Sequence, residues 1–176
     1  MNFCSHCGSR VMLRKPIGED RLRHVCDQCG EIHYQNPKII AGCIPECDTG
    51  ILLCKRAIEP RYGTWTLPAG FMELGETLEA AACRESWEEA YAKLAIHGLF
   101  AIFNLPHVSQ VHVYFRAQLL DQQHRAGVES LETRLFREDE IPWENISFQT
   151  VSRCLELYFE DNRRKQFGIH IQDIIL

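Results

Sequence analysis

Two stretches of the chain are apolar at almost every position, residues 39–45 (IIAGCIP) and 50–56 (GILLCKR). Runs of that kind predict strands buried on both faces, and the polar stretch Glu46 to Thr49 between them predicts a turn. Trp65 to Gly70 reads as a short strand entering a loop, and residues 94–105 and 110–120 as two longer strands around the turn Pro106 to Ser109. Thr133 to Phe136 gives a further short strand before a helix-like piece at 138–141. Thr77 followed by Glu79 is a good helix start, and the Ala-rich run after it predicts a helix through residue 92. A second helix is predicted over 147–162, with Val151, Leu155, Tyr158 and Phe159 along one apolar stripe. The chain shows no internal repeat, and the boundary falls around Asn36-Pro37, dividing a small module at 1–36 from a main domain at 37–176.

A chain of 176 residues can bury one sizeable core and carry a small accessory module. The composition, 45% hydrophobic and 24% charged, is that of a soluble globular protein. No apolar run approaches the roughly 18 residues that span a bilayer, so no membrane association is expected. The first cysteine stands at residue 4, leaving no room for a signal segment before it, and the cytoplasm is the expected compartment. A net charge of −5 argues against a protein built to grip nucleic-acid backbone, although bound metal can reverse the sign at a site that takes phosphate compounds. Nine cysteines, an odd number, fit metal binding in a reducing compartment better than a disulfide framework.

Four of those cysteines, Cys4, Cys7, Cys26 and Cys29, form C-x2-C-x18-C-x2-C, with glycine (Gly8, Gly30) directly after each pair. Four thiolates at this spacing suit a closed tetrahedral Zn²⁺ site, which has no open position and is therefore structural. Each turn around the metal favours a residue that tolerates positive φ, as glycine does. Residues 1–38 carry six Lys or Arg against four Asp or Glu, and a zinc ion with four thiolates cancels the surplus. The module has no basic footprint, so scaffolding or dimerisation is its expected role. His6, His24 and His33 are expected at the surface, and Cys43, Cys47, Cys54, Cys83 and Cys154 as buried small hydrophobes.

The chemistry is concentrated in residues 70–92, GFMELGETLEAAACRESWEEAYA. On a helix, Glu85, Glu88 and Glu89 fall at about 0°, 300° and 40° around the axis, so three like charges share one narrow face. A hard divalent cation with oxygen ligands would make that arrangement acceptable. The whole series, Gly70-x5-Glu76-x7-Arg84-Glu85-x2-Glu88-Glu89, resembles the box of the Nudix hydrolases, which cleave nucleoside diphosphates linked to another group. The resemblance covers roughly residues 38–165 and extends to the branch in which a zinc ribbon precedes the catalytic domain. HYQNPK at 33–38, LLCKR at 52–56, TLPAGF at 66–71 and ESLETRLF at 129–136 are most similar to FAD and ADP-ribose diphosphatases. NADH pyrophosphatases share the two-part build, but their proline- and aromatic-rich segment downstream of the box is absent, the chain reading NLPHVSQ at 104–110. Two positions depart from the family pattern, Ser86 after Arg-Glu and Tyr91 in place of the usual glycine.

The resemblance implies an α/β fold, a Nudix α/β/α sandwich around a mixed sheet, preceded by a zinc ribbon. It implies Mg²⁺ or Mn²⁺ held mainly by Glu85 and Glu89 and assisted by Glu88, with Glu132 as the remote carboxylate and Glu129 as its alternative. It implies that Arg84 and Glu76 pair to fix the loop that begins at Gly70. A dinucleotide such as FAD or ADP-ribose would be split into AMP and a second monophosphate. NADH pyrophosphatase or RNA NAD-cap removal is the enzyme alternative, and a non-catalytic nucleotide sensor the alternative of another class. Related ribbon-bearing hydrolases imply a homodimer. Arg56, at a strand end, is a candidate phosphate contact or a plain surface arginine. Phe103, Tyr34 and Trp65 are expected in the core rather than against a flat ring, and His107 and His112 have no partner legible in the sequence.

Overall fold

The structure is a computed structural model that describes residues 1–175. It divides into two compact units, Met1–Asn36 and Pro37–Leu176. In the first, strands β1 (Val11–Arg14), β2 (Arg23–Cys26) and β3 (Ile32–His33) form an antiparallel sheet. Gly8 and Gly30 adopt φ of 74° and 73° and return their N–H groups to the carbonyls of Cys4 and Cys26, closing one tight turn per cysteine pair. The four ligating sulfurs lie within 4.8 Å of one another. Cys4 and Cys29 Sγ are 3.7 Å apart, close to the edge of about 3.8 Å of a tetrahedron with ~2.3 Å zinc–sulfur bonds. His33 is half-buried, with Nε2 at 3.3 Å from Cys4 Sγ, so it lies against a ligand instead of free in solvent. Tyr34 is exposed, against the expectation of core packing, and its hydroxyl donates to Glu19 at 2.8 Å.

The second unit is built on β4 (Lys38–Cys47), β5 (Gly50–Arg56), β6 (Trp65–Thr66), β7 (Ala69–Phe71), α1 (Leu78–Ala90), β8 (Leu94–Leu105), β9 (Gln110–Leu119), β10 (Ser130–Phe136), α2 (Gln149–Arg164) and β11 (His170–Asp173). The main path of the sheet runs β10-β5-β4-β9-β8-β11, with β6 paired to β5 and β7 to β4. It is mixed, since β4–β9 and β8–β11 are parallel and the other pairs antiparallel. Because side chains alternate along a strand, Ala41 and Cys43 of β4 and Val113, Phe115 and Ala117 of β9 pack under Ala81 and Ala82 of α1. On the other face Ile44, Leu53, Phe100, Phe103 and Tyr114 meet Val151, Leu155, Tyr158 and Phe159 of α2. The unit is thus an α/β/α sandwich, and all four positions of the predicted stripe on α2 are buried.

Several boundaries differ from the sequence expectation, each for a physical reason. The turn at 46–49 shrinks to Asp48 and Thr49, because Glu46 is inside β4 and buried. Its charge is met by Arg116 of β9 at 2.6 Å and by the Tyr158 hydroxyl of α2 at 2.5 Å. The strand at 65–70 is two strands, interrupted at Leu67-Pro68 where the chain leaves β5 for β4. Helix α1 ends at Ala90, not residue 92; Tyr91 takes the left-handed cap (φ 49°, ψ 28°) that glycine commonly supplies. Ser86 is fully buried, its hydroxyl donating to the Ala82 carbonyl at 2.8 Å. Cys43, Cys54 and Cys154 are buried as expected, whereas Cys47 and Cys83 are only half-buried. The C-terminal segment closes the sheet through β11: Asn104 Nδ2 donates to Asp173 at 2.8 Å, and Asp161 accepts from Gly168 N–H. Among the described residues no helix is long and apolar enough to cross a membrane.

Candidate active site

Strand β7 brings Gly70 opposite Ala41, and Thr77 caps α1 by accepting from Ala80 N–H at 3.1 Å. A side chain at Gly70 would collide with the carboxylate of Glu85, so glycine here opens the space in which that carboxylate lies. Glu76 accepts from Glu73 N–H, which folds the loop before the helix. Arg84 then ties loop to helix. Its Nε and Nη2 reach the two oxygens of Glu76 at 2.6 and 3.0 Å, Nη2 also donates to the Phe71 carbonyl, and Nη1 reaches Glu85 at 2.7 Å and Glu88 at 3.1 Å. The bidentate guanidinium holds the Glu76 carboxyl down to about 2. The sequence pointed to the Arg84–Glu76 pair; the further contacts to Glu85 and Glu88 emerge only in three dimensions.

Glu89 lies deepest, 6% exposed, and its Oε2 has no hydrogen-bond partner. Burial first, then the charge of Glu85, push its carboxyl up to about 8, while the Ala69 N–H and Arg56 act in the opposite direction. Glu85 is raised mainly by burial, against the pull of Arg84, and Glu88 and Glu129 add to the rise. An orphaned carboxylate oxygen beside a second carboxylate is what a hard cation would satisfy. The donor set therefore fits a divalent metal with oxygen ligands.

The remote carboxylate is where the structure departs from Glu132. That side chain is half-exposed on β10, 4.0 Å from Lys55 Nζ. Glu129, the alternative, is the residue whose charge reaches both Glu85 and Glu89. Its position follows from the preceding loop, which docks on the open end of α1. Arg125 N–H donates to the Ala90 carbonyl at 3.0 Å and Gly127 N–H to Glu89 at 2.9 Å, and Ala57 N–H then holds the Glu129 carbonyl at 2.8 Å. A side chain at Gly127 would overlap the Glu88 carbonyl, so only glycine allows this approach. Alternation along β10 could not have selected Glu129, because a bulge between Ser130 and Glu132 breaks the register.

Arg56 ends β5 with Nε donating to the Pro60 carbonyl and its guanidinium 5.1 Å from the Phe148 ring. Trp65 and Phe103 are core residues, as expected. His112 is buried, its Nε2 3.0 Å from Gln110 Oε1, a partner two residues away on the same strand.

Two family models match the chain. The one described as NUDIX domain covers residues 36–154, and the one described as Nudix N-terminal, a zinc ribbon, covers residues 2–35. A protein named ADP-ribose pyrophosphatase from Methanocaldococcus jannaschii is 31% identical over 62% of this chain and 67% of its own length. One named NAD-capped RNA hydrolase NudC from Chromobacterium violaceum is 34% identical over 52% of this chain, which spans only 33% of that relative. Among solved structures, a NUDIX hydrolase from Nitrosomonas europaea superposes with a TM-score of 0.96 at 52% identity, covering 99% of each chain. An ADP-ribose pyrophosphatase from Streptococcus suis, at TM-score 0.63 and 20% identity over 77% of this chain and 99% of that one, shares the fold.

Proposed function

The chain belongs to the Nudix hydrolase family, and on that premise we propose that it splits the pyrophosphate bond of a dinucleotide, FAD or ADP-ribose, into AMP and a second monophosphate. The observation that carries the reading is the buried, unpartnered Oε2 of Glu89 beside Glu85 on a helix face shared with Glu88. Glu85, Glu88, Glu89 and Glu129 would hold Mg²⁺ or Mn²⁺, with Glu129 taking the remote place first considered for Glu132. When bound, the ion neutralises phosphate charge and acidifies a bound water. The protein's own groups do the rest. Gly70 leaves room for the Glu85 carboxylate, Glu76 and Arg84 lock the loop to the helix, and Arg56 offers a cation to a substrate phosphate.

In the same reading Cys4, Cys7, Cys26 and Cys29 hold a structural zinc in a ribbon at 1–36, the catalytic domain is 37–176, and the protein is a cytoplasmic homodimer. The experiment is one panel of FAD, ADP-ribose, NADH, NAD and CoA with Mg²⁺ or Mn²⁺, products resolved by chromatography. Release of AMP with FMN or ribose 5-phosphate is expected. Relatives named NAD-capped RNA hydrolase favour a second reading, cleavage of NADH, NAD or NAD caps on RNA, and faster turnover of those substrates would select it. Turnover of none would remove both and leave a nucleotide sensor.

A further inference from the structure

Helix α2 begins without a cap. Its N-cap is Phe148, which offers no side-chain acceptor, and the first turn holds no acidic residue. A 16-residue helix left in this way presents free N–H groups and the positive end of its dipole. Two hydroxyls flank that end, Ser147 just before the cap and Thr150 in the first turn. Ser147 is 5% and Thr150 1% exposed, and neither hydroxyl oxygen has a hydrogen-bond partner. Buried polar groups are almost always satisfied, so a pair of unsatisfied hydroxyls at one helix end points to a ligand that supplies the acceptors.

Two further observations aim this end at the reaction site. The Thr150 hydroxyl neighbours that of Tyr114, and Tyr114 lies within reach of the Glu89 charge. The Arg56 guanidinium stands over the Phe148 ring at 5.1 Å and also acts on Glu89. Only its Nε is engaged, with the Pro60 carbonyl. A cation, two hydroxyl donors and a bare helix N-terminus thus converge on the flank of the carboxylate cluster. Oxyanions are the ligands such a set recognises.

We propose that the N-terminus of α2, with Ser147, Thr150 and Arg56, is a phosphate-binding site that receives one phosphate of the substrate and keeps it as the departing monophosphate. The proposal rests on the reading of the chain as a dinucleotide hydrolase, which assigns no role to Ser147, Thr150 or α2. The division of labour is by charge: the carboxylates collect cations on one side, and the helix end collects an anion on the other.

The test is calorimetric titration of inorganic phosphate, then of AMP, into the full zinc-loaded chain with no Mg²⁺ or Mn²⁺ added. Wild type is compared with Thr150→Val, which keeps the shape and removes the hydroxyl, and with Ser147→Ala. Each variant is expected to weaken phosphate binding about ten- to a hundredfold, the range for a hydrogen bond to a charged group. The melting temperature should stay level or rise, because an unsatisfied buried hydroxyl has gone. With metal present, KM should rise by a similar factor while kcat changes less than about threefold. Arg56→Lys keeps the charge but loses the fork and should fall between. If wild type binds no phosphate, or the variants bind it equally well at unchanged KM, the site is disproved. Phosphate binding that the variants weaken, in a chain that hydrolyses no dinucleotide, would uphold the site and refute the hydrolase reading alone.

Discussion

Glu89 carries two burdens that a single substitution separates. Its carboxyl sits far above the ordinary value of 4.5, at about 8, so the metal-free folded state holds a proton that the unfolded chain releases. Stability from this group is therefore full below the ordinary value and is lost as pH rises through about 8. Glu89→Gln keeps the shape without the charge. Metal-free, it should melt higher than wild type at pH 8, by about 3 °C or more. With Mg²⁺ it should lose about three orders of magnitude in turnover, ~4 kcal/mol of barrier. Near-normal turnover would remove Glu89 from the ligand set. A second comparison decides the remote carboxylate: Glu129→Gln should cost about a hundredfold in kcat, and Glu132→Gln less than about threefold. The reverse order would return the role to Glu132. The three helix carboxylates were legible because helical spacing is rigid. Glu129 was not, because its place depends on a loop docking on α1 and on a bulge, neither of which leaves a periodic trace.

At the scale of elements, periodicity located both helices and the long strands, and failed where distant partners override local preference. Glu46 reads as a turn residue until Arg116 and Tyr158, 70 and 112 positions away, neutralise it inside a strand. Tyr91 reads as a defect in the box helix, yet it ends that helix in the left-handed region. An L residue there costs about 1–2 kcal/mol. Its ring offsets part of this, edge-on to Trp87 at 5.3 Å and under Arg125 at 4.2 Å. Each such contact contributes about 0.5–1 kcal/mol. Tyr91→Gly should therefore change unfolding free energy by less than about 1 kcal/mol in a denaturant titration. Tyr91→Val should lose about 2 kcal/mol or more, having the backbone cost without the ring. Loss of the same size in both would mean that the ring contacts, rather than the backbone, govern this corner.

For the whole molecule, acid should be a specific hazard. His112 is buried in the main unit and held down to about 4 by desolvation. The unfolded chain takes up that proton near 6.5, so stability is full above 6.5 and declines as pH falls toward 4, by on the order of 3 kcal/mol. A His112→Gln variant should show a flatter melting-temperature profile between those pH values, and an unchanged profile would place the acid sensitivity elsewhere. The two-part organisation was legible because cysteine spacing and strand patterning change near Asn36-Pro37.

Arg84 has one more consequence, and it concerns supply. By bridging Glu76, Glu85 and Glu88 it gives the catalytic helix a counter-ion carried in its own sequence. The helix face is therefore tolerable before any divalent ion arrives, and loading amounts to an exchange of partners on a surface already folded. The four thiolates of the ribbon have no such stand-in. One chain thus holds two metals on opposite terms, zinc as a permanent part of its architecture and the catalytic ion as a passing guest. A mild chelator should silence the enzyme reversibly long before it dismantles the protein.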